Sequence, residues 1–464
     1  MNEFHSCTIS KRKWEGHLSI IDEVDVVIIG AGLAGLATAF ELKKNHLSFV
    51  VLEARDRPGG RIESIVTDEN VCIDMGAQWI GKNHYRVKKL LSQFRLDTVS
   101  TYRKGKQIYA YNEKITYQKR PPISALSLLD VHLFTRRLNK ISSFIKPSSP
   151  WENTFTKQFD EITMEQFLQS NMHTRAGKNY YRLFIEELLC TKLYEVSALD
   201  FLWLISSAGS IQNIRASEEL SIKGGAGRLV ERIAATISEK IHFESPVSTI
   251  RSEAENRVYV YSKNQCWKAK KVIVAVPPNL QSRITFEPPL PATRAQLIER
   301  APLPAVMKIN LIYEKPFWRD LGLSGITYSD KGQIKMTIDS SPKDGEVGIL
   351  TIISSGDSTR ELANHSPEKR KIIVLTALTR LFGPSANKPS QYFEKNWAEE
   401  EWTRGGYGVH FAPGVITSLG KTLVKSIGPI HWAGSETASL WRLYMEGAVQ
   451  SGQRAAQEVI LTLR

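Results

Sequence analysis

Apolar residues along this chain fall into β-branched runs and helical stripes. Val24 to Ile29 reads as a buried parallel strand. Glycines follow, then an amphipathic pattern from about Leu33 to Lys44 that predicts a helix, and Ser48 to Leu52 reads as the next strand. The chain thus opens with a βαβ unit. Residues from about 91 to 220 read mainly helical, with loops at Pro121-Pro122 and Lys146 to Pro150. Gly224-Gly225-Ala226-Gly227 is a breaker ahead of a helix through Ile237. Val258 to Tyr261 and Lys271 to Val276 read as strands closed by Pro277-Pro278. Lys308 to Tyr313, Lys335 to Ile338 and Ile349 to Ile353 predict a second sheet, and Met445 to Leu463 a final helix. The expected class is α/β with an α+β second domain.

Length changes that picture in one way: 464 residues exceed one ordinary core, so two interleaved domains are expected. With 42% hydrophobic and 23% charged residues the composition is that of a globular protein. The net charge of +13 implies solubility and a weak attraction for polyanions. Lys and Arg are spread out, and the densest run, Arg103 to Lys106 with Lys114 and Lys119, reads as a solvated loop or edge; no nucleic-acid partner is expected. Cys7, Cys72, Cys190 and Cys266 form no CxxC and no zinc spacing, so reduced thiols, no metal and a cytoplasmic location are expected. The polar start (Met1 to Gly16) lacks the apolar core of a signal peptide. No apolar run is long enough to span a bilayer, and the last helix ends at the terminus, so no membrane anchor is expected.

Candidate chemistry begins at Gly30-Ala31-Gly32-Leu33-Ala34-Gly35, a G-x-G-x-x-G directly after a strand and opening a helix. Glu53 ends the next strand, which completes the dinucleotide fingerprint in its required context. Gly30 allows the tight turn, Gly32 the approach of a pyrophosphate, and Gly35 close helix–strand packing, while the helix N-terminus offers free N–H groups. Glu53 is expected to bind the adenosine ribose. NAD and FAD share this fingerprint. Glu53-Ala54-Arg55, running into Arg57-Pro58-Gly59-Gly60-Arg61, resembles the second flavin motif of the amine oxidase superfamily. Arg61 would then meet the pyrophosphate; its alternative is a surface salt bridge.

From here the sequence resembles the flavin monoamine oxidases along nearly its whole length. Asp74-Met75-Gly76-Ala77-Gln78-Trp79-Ile80-Gly81 is similar to the segment lining the flavin, and Glu195 to Leu199 with Phe201-Leu202-Trp203 to the substrate-domain helix. Lys223-Gly224-Gly225 resembles the re-entry into the FAD domain, and Ser245-Pro246-Val247 the adenine-side strand. Phe286 to Pro291 matches as well. The most specific piece is His431-Trp432-Ala433-Gly434-Ser435-Glu436-Thr437-Ala438, then Trp441 and Tyr444-Met445-Glu446-Gly447-Ala448-Val449. The resemblance implies a Rossmann-like FAD-binding domain (20–90, 223–297, 397–464) interleaved with a substrate domain (91–222, 298–396). The start of the last helix would face the flavin's N1–C2=O edge.

The same resemblance assigns the chemistry. Lys308 matches the lysine that holds a water near flavin N5, the alternative being a solvent-facing residue of an alternating strand. Tyr407 and Tyr444 match the paired tyrosines flanking the amine's path. Trp397 and Trp402 fit the aromatic packing beside the flavin. Phe184 matches a pocket aromatic, and Tyr328 and Met336 join it. Three departures stand out. Gly406 occupies the position of the flavin-linked cysteine, and none of the four cysteines lies near it, which predicts non-covalent FAD. Arg442 stands where small residues are usual and would crowd the tyrosines or point to solvent. Glu187 and Arg215 fall at pocket positions: Glu187 either binds a second cationic group of a diamine or polyamine, or pairs with Arg215, or faces solvent.

The expected activity is oxidative deamination of a small-molecule amine by O₂, giving an imine or aldehyde, ammonia or an amine, and H₂O₂. Polyamine or diamine oxidase and L-amino-acid oxidase are the alternatives on the same fold, and a catalytically silent flavoprotein module is the alternative of a different functional class. Gln78-Trp79 stands where the amino-acid oxidases have a carboxylate-binding arginine. Family members often pair as homodimers; the sequence leaves that open.

Overall fold

The computed structural model describes residues 19–254, 257–263 and 265–464; Cys7 and the polar start lie outside them. Among the described residues eight strands form one sheet. At its centre Ser19–Ile29 pairs in parallel with Phe49–Leu52 and with Gln265–Val274. Val26 to Ile29 are buried on both faces, as a parallel strand under helices requires. On its other edge Gln265–Val274 serves two further partners: its first half pairs antiparallel with Arg257–Ser262, its second half in parallel with Ile430–Trp432. The return of the chain at residues 430–432 is what brings the last helix back to the first. Met445–Leu463 packs on Leu33–Lys44, both with the bounds the pattern predicts. The contact is tight: a Cβ at Gly452 would lie 2.3 Å from the Ala34 carbonyl oxygen.

A seven-stranded sheet forms the other half, in the order Gln391–Asn396, Val306–Tyr313, Gly348–Ser355, Met336–Asp339, Leu323–Ser329, Lys106–Tyr111, Lys114–Gln118. The last pair corrects the helical expectation for residues near 100. Tyr111 and Lys114 are joined by Asn112 and Glu113, both at positive φ (49° and 68°), the signature of a two-residue hairpin turn. Lys114 and Lys119 are exposed on this edge, as a solvated edge requires. Helices occupy the stretch from Ala125 to Arg215. One of them, Ala198–Ala208, is buried on nearly every side and forms the axis of a separate apolar core. Among the described residues no helix is long and apolar enough to cross a membrane.

Candidate active site

One cavity runs from the carboxyl ends of the parallel strands to the second sheet. At the first end it is lined by Gly30, Gly32, Leu33 and Ala34, by Glu53, Ala54 and Arg55, and by Gly60 and Arg61. Gly30 has φ 99°, so the turn needs glycine. Gly35 lies behind the wall, where a Cβ would sit 1.9 Å from the Gly30 carbonyl oxygen. At Gly32 a Cβ would meet nothing nearer than the Gly59 carbonyl oxygen at 4.0 Å, and so would project into the cavity. No side chain caps the Leu33–Lys44 helix at Gly32, leaving its first N–H groups to an anionic ligand. Glu53 accepts from the N–H of Ala31 (2.7 Å) and of Arg55 (3.0 Å), which fixes its carboxylate at the strand end. Ala31 itself is turned inward. Val247 lines the same end.

Arg61 keeps its place in the cavity wall and is not part of a surface pair. Its guanidinium binds the buried Glu436 at 2.7 Å and the Tyr407 carbonyl oxygen at 2.5 Å. Burial pushes the Glu436 carboxyl up, but Arg61 outweighs it and holds the group below its usual value. Glu436 thus stands behind the wall made by Gly434 and Ser435. Trp397 and Trp402 line the wall, and Trp397 is anchored by its indole N–H on the Met75 carbonyl oxygen at 2.8 Å.

At the middle, Gly76, Ala77, Gln78, Trp79 and Lys308 line the cavity. Lys308 is buried, not solvent-facing, because its strand is covered on both faces. Its ammonium donates to the Gly76 carbonyl oxygen (2.9 Å) and Gln78 Oε1 (2.8 Å). Burial pulls it down to about 8, against the opposing charges of Asp74 and Glu218.

Tyr407, Tyr444, Met445 and Ala448 line the cavity as well. Tyr407 is 40% exposed, but it is enclosed by protein and its open face looks into the cavity. Burial pushes both tyrosine hydroxyls up, so both stay neutral. Tyr444 packs edge-on against Trp441 (5.2 Å) and His84 (5.6 Å). His84, which the sequence did not single out, is pulled down to about 4 by burial and accepts the Gly81 N–H at Nδ1. No side chain caps the last helix at Tyr444. Glu446 turns away and accepts the N–H groups of Arg86 and Val87, each at 2.9 Å, capping another helix.

Several expectations need correction here. Phe184, Glu187, Arg215, Tyr328 and Met336 are not among the residues that line this cavity. Glu187 and Arg215 do not pair: Glu187 Oε2 lies 3.3 Å from Ser355 Oγ, and the Arg215 guanidinium stacks over Phe184 at 4.9 Å. Tyr328 stacks on Tyr109, and Met336 faces it across the strand pair. Arg442 neither crowds the tyrosines nor reaches solvent; it is wholly buried against Asp200. A cysteine does lie near the tyrosines: Tyr407 is among the groups acting on the Cys190 thiol, whose Sγ donates to the Glu187 carbonyl oxygen at 3.5 Å, although it is not in the wall. Glu218 and His410 are in the wall and were missed. Burial pushes Glu218 up, opposed by Arg103 and Lys308.

The profile of the family described as flavin containing amine oxidoreductase matches residues 33–460. Amine oxidase [flavin-containing] B of Sus scrofa is 33% identical over 447 residues, covering 94% of this chain and 86% of that protein. A probable flavin-containing monoamine oxidase A of Dictyostelium discoideum is 34% identical over 445 residues, covering 94% and 97%. Among solved structures, putrescine oxidase bound to putrescine superposes with a TM-score of 0.90 at 30% identity, covering 95% of this chain and 99% of that one. Cyclohexylamine oxidase from Brevibacterium oxydans IH-35A gives 0.90 at 28% identity, covering 95% and 100%.

Proposed function

The chain belongs to the flavin-containing amine oxidoreductases, and from that premise we propose how its own residues serve FAD-dependent amine oxidation. The glycine cradle at Gly32 and Gly60 and the uncapped helix start fit a dinucleotide at one end of the cavity. Bound flavin supplies the two-electron oxidation at the amine α-carbon and passes the electrons to O₂, giving H₂O₂. Tyr407 and Tyr444 present ring faces to the amine nitrogen and restrict its approach. The apolar wall of Leu204, Val306 and Ile353 favours the neutral amine, the form that reacts. Lys308 holds a proton at Nζ beside the reacting centre, drawn from water only with difficulty. The imine product leaves and is hydrolysed to a carbonyl compound and ammonia or an amine.

FAD is held without a covalent bond on this reading. Gly406 offers no thiol, and burial pushes the Cys190 thiol well above its usual value, which keeps it unreactive. The observation that carries the proposal is the single cavity joining the glycine cradle to Lys308, Tyr407 and Tyr444. A second reading, preference for a diamine, is favoured by Glu218: its carboxylate is in the wall, and Arg103 stands 3.8 Å away, too far for a good hydrogen bond.

The test is a purified holoprotein treated in two ways. Acid precipitation should leave flavin in the supernatant; flavin retained in the pellet would refute non-covalent binding. Anaerobic addition of benzylamine, tyramine, putrescine or spermidine should bleach the visible flavin bands. Flavin that no amine bleaches would overturn the roles given to the tyrosines.

A further inference from the structure

Arg442 is an expensive residue to bury, and three residues of one helix face are spent on it. Asp200, Trp203 and Ser207 share a stripe of the helix Ala198–Ala208. Asp200 Oδ1 lies 3.1 Å from Arg442 Nη2, with both side chains at 0% exposure. The guanidinium stacks 4.2 Å above the Trp203 ring, and Ser207 Oγ accepts the Arg442 backbone N–H at 3.1 Å. The same Nη2 donates to the Val409 carbonyl oxygen at 2.9 Å, and His410 Nδ1 meets the other Asp200 oxygen at 2.7 Å. Burial pushes the Asp200 carboxyl up, yet Arg442 and His410 outweigh it and keep it ionised.

The connectivity gives this cluster its meaning. Arg442 closely precedes Tyr444, and Val409 and His410 closely follow Tyr407. One cation therefore fastens both tyrosine-bearing segments to one buried helix. The segments also abut: a Cβ at Gly408 would lie 2.4 Å from Leu443 Cδ2. Trp441 and Leu443 sit at φ 50° and 70°, a region that such side chains adopt only where their surroundings over-determine it. A buried ion pair is often no more stable than apolar residues of the same volume, so stability alone does not account for it. We propose that Asp200 and Arg442, linked through His410 to the cavity wall, are positioning residues that set the separation and tilt of Tyr407 and Tyr444. The proposal rests on the reading that those tyrosines flank the amine.

The test is the holoprotein carrying Asp200→Leu with Arg442→Met, which removes both charges together and strands neither. Its crystal structure should show the Tyr407 and Tyr444 rings displaced. Flavin content, flavin spectrum and melting temperature should be retained. The anaerobic rate constant for flavin reduction by benzylamine or putrescine should fall on the order of 100-fold, the scale expected for a misplacement near 1 Å, with a much smaller change in amine Kd. Native ring positions, or a native reduction rate, would overturn the proposal. Should the double variant not hold flavin, Arg442→Lys decides: it keeps the charge but loses the fork and the stack. A slowed rate with an unchanged flavin spectrum supports the cluster, and a wild-type rate overturns it. If neither amine reduces the wild-type flavin, the reading of the tyrosines fails, while the ring positions still judge the cluster.

Discussion

The two ends of the cavity are built from different materials. The nucleotide end is mostly backbone: Gly30, Gly32, Gly59 and Gly60 line it within a short stretch of chain, and a helix start supplies its charge. The amine end is mostly side chains, contributed by segments from Glu218 through Lys308 and Tyr407 to Tyr444. A backbone cradle admits very few residue types at fixed spacing. A side-chain wall admits many, provided that each buried charge finds a partner. The comparison predicts that the first end fails through sterics and the second through electrostatics.

The largest effects should come from the cradle, and they should separate folding from binding. Gly35→Ala puts a Cβ 1.9 Å from a backbone oxygen, so we expect a loss of about 3 kcal/mol or more and little soluble protein. Gly32→Ala has room within the protein, its nearest neighbour being 4.0 Å away, yet its methyl group enters the cavity. It should leave apoprotein melting unchanged and weaken FAD binding in a titration. Wild-type FAD affinity in Gly32→Ala would break the view of this end as a backbone cradle.

Next in size is Lys308→Met, a change of charge with little change of shape. Reoxidation of reduced enzyme by O₂ should slow on the order of 100-fold, while anaerobic reduction by amine changes far less. The ammonium form is populated below its value of about 8, so the wild-type reoxidation rate should fall as pH rises through that point. The variant's rate should be flat there. The sign for stability is the reverse of an ordinary lysine's. Burying the charge costs most below pH 8, and the cost fades toward 10.5, so the variant should melt higher at pH 7 than the wild type. An inflection that survives in the variant would assign the proton to another group.

How much of this was legible follows the same divide. The helices Leu33–Lys44 and Met445–Leu463 could be bounded from sequence because glycines and apolar stripes mark their ends. The fingerprint could be read because its glycines answer to local geometry. Residues 106–118 misled, since their hairpin turns on Asn112-Glu113 and carries no Asn-Gly or Asp-Gly cue. Arg442 misled because it looks like a crowding or solvent-facing charge until the fold joins it to Asp200, which the sequence did not single out. One signal was available: Asp200 is the only charged residue in a helix that is apolar but for Ser206 and Ser207, and such a residue needs a buried partner. Glu218 and His410 carry no local pattern at all.

The smallest effects come from the two carboxylates that the wall treats differently. Glu218 faces the cavity, whereas Glu187 is 6% exposed behind it, with Oε1 lacking a hydrogen-bond partner among the described residues. If Glu218 reads a second charge on the substrate, Glu218→Gln should raise the KM for putrescine on the order of 10-fold, the scale of a lost charged hydrogen bond, and leave benzylamine nearly unchanged. Glu187→Gln should shift neither amine selectively, and its effect should appear in stability. Burial pushes the Glu187 carboxyl up to about 7, against Lys335 and Ser355, so the folded state prefers its proton. Its contribution to stability is therefore full below the ordinary carboxyl value of 4.5, declines as pH rises toward 7, and stays low beyond. Gln mimics the protonated form at every pH. The variant and the wild type should melt together near pH 4.5, and the variant should melt higher at pH 8. A selective loss of putrescine in Glu187→Gln, with none in Glu218→Gln, would exchange the two roles and move the recognition of a second charge behind the wall.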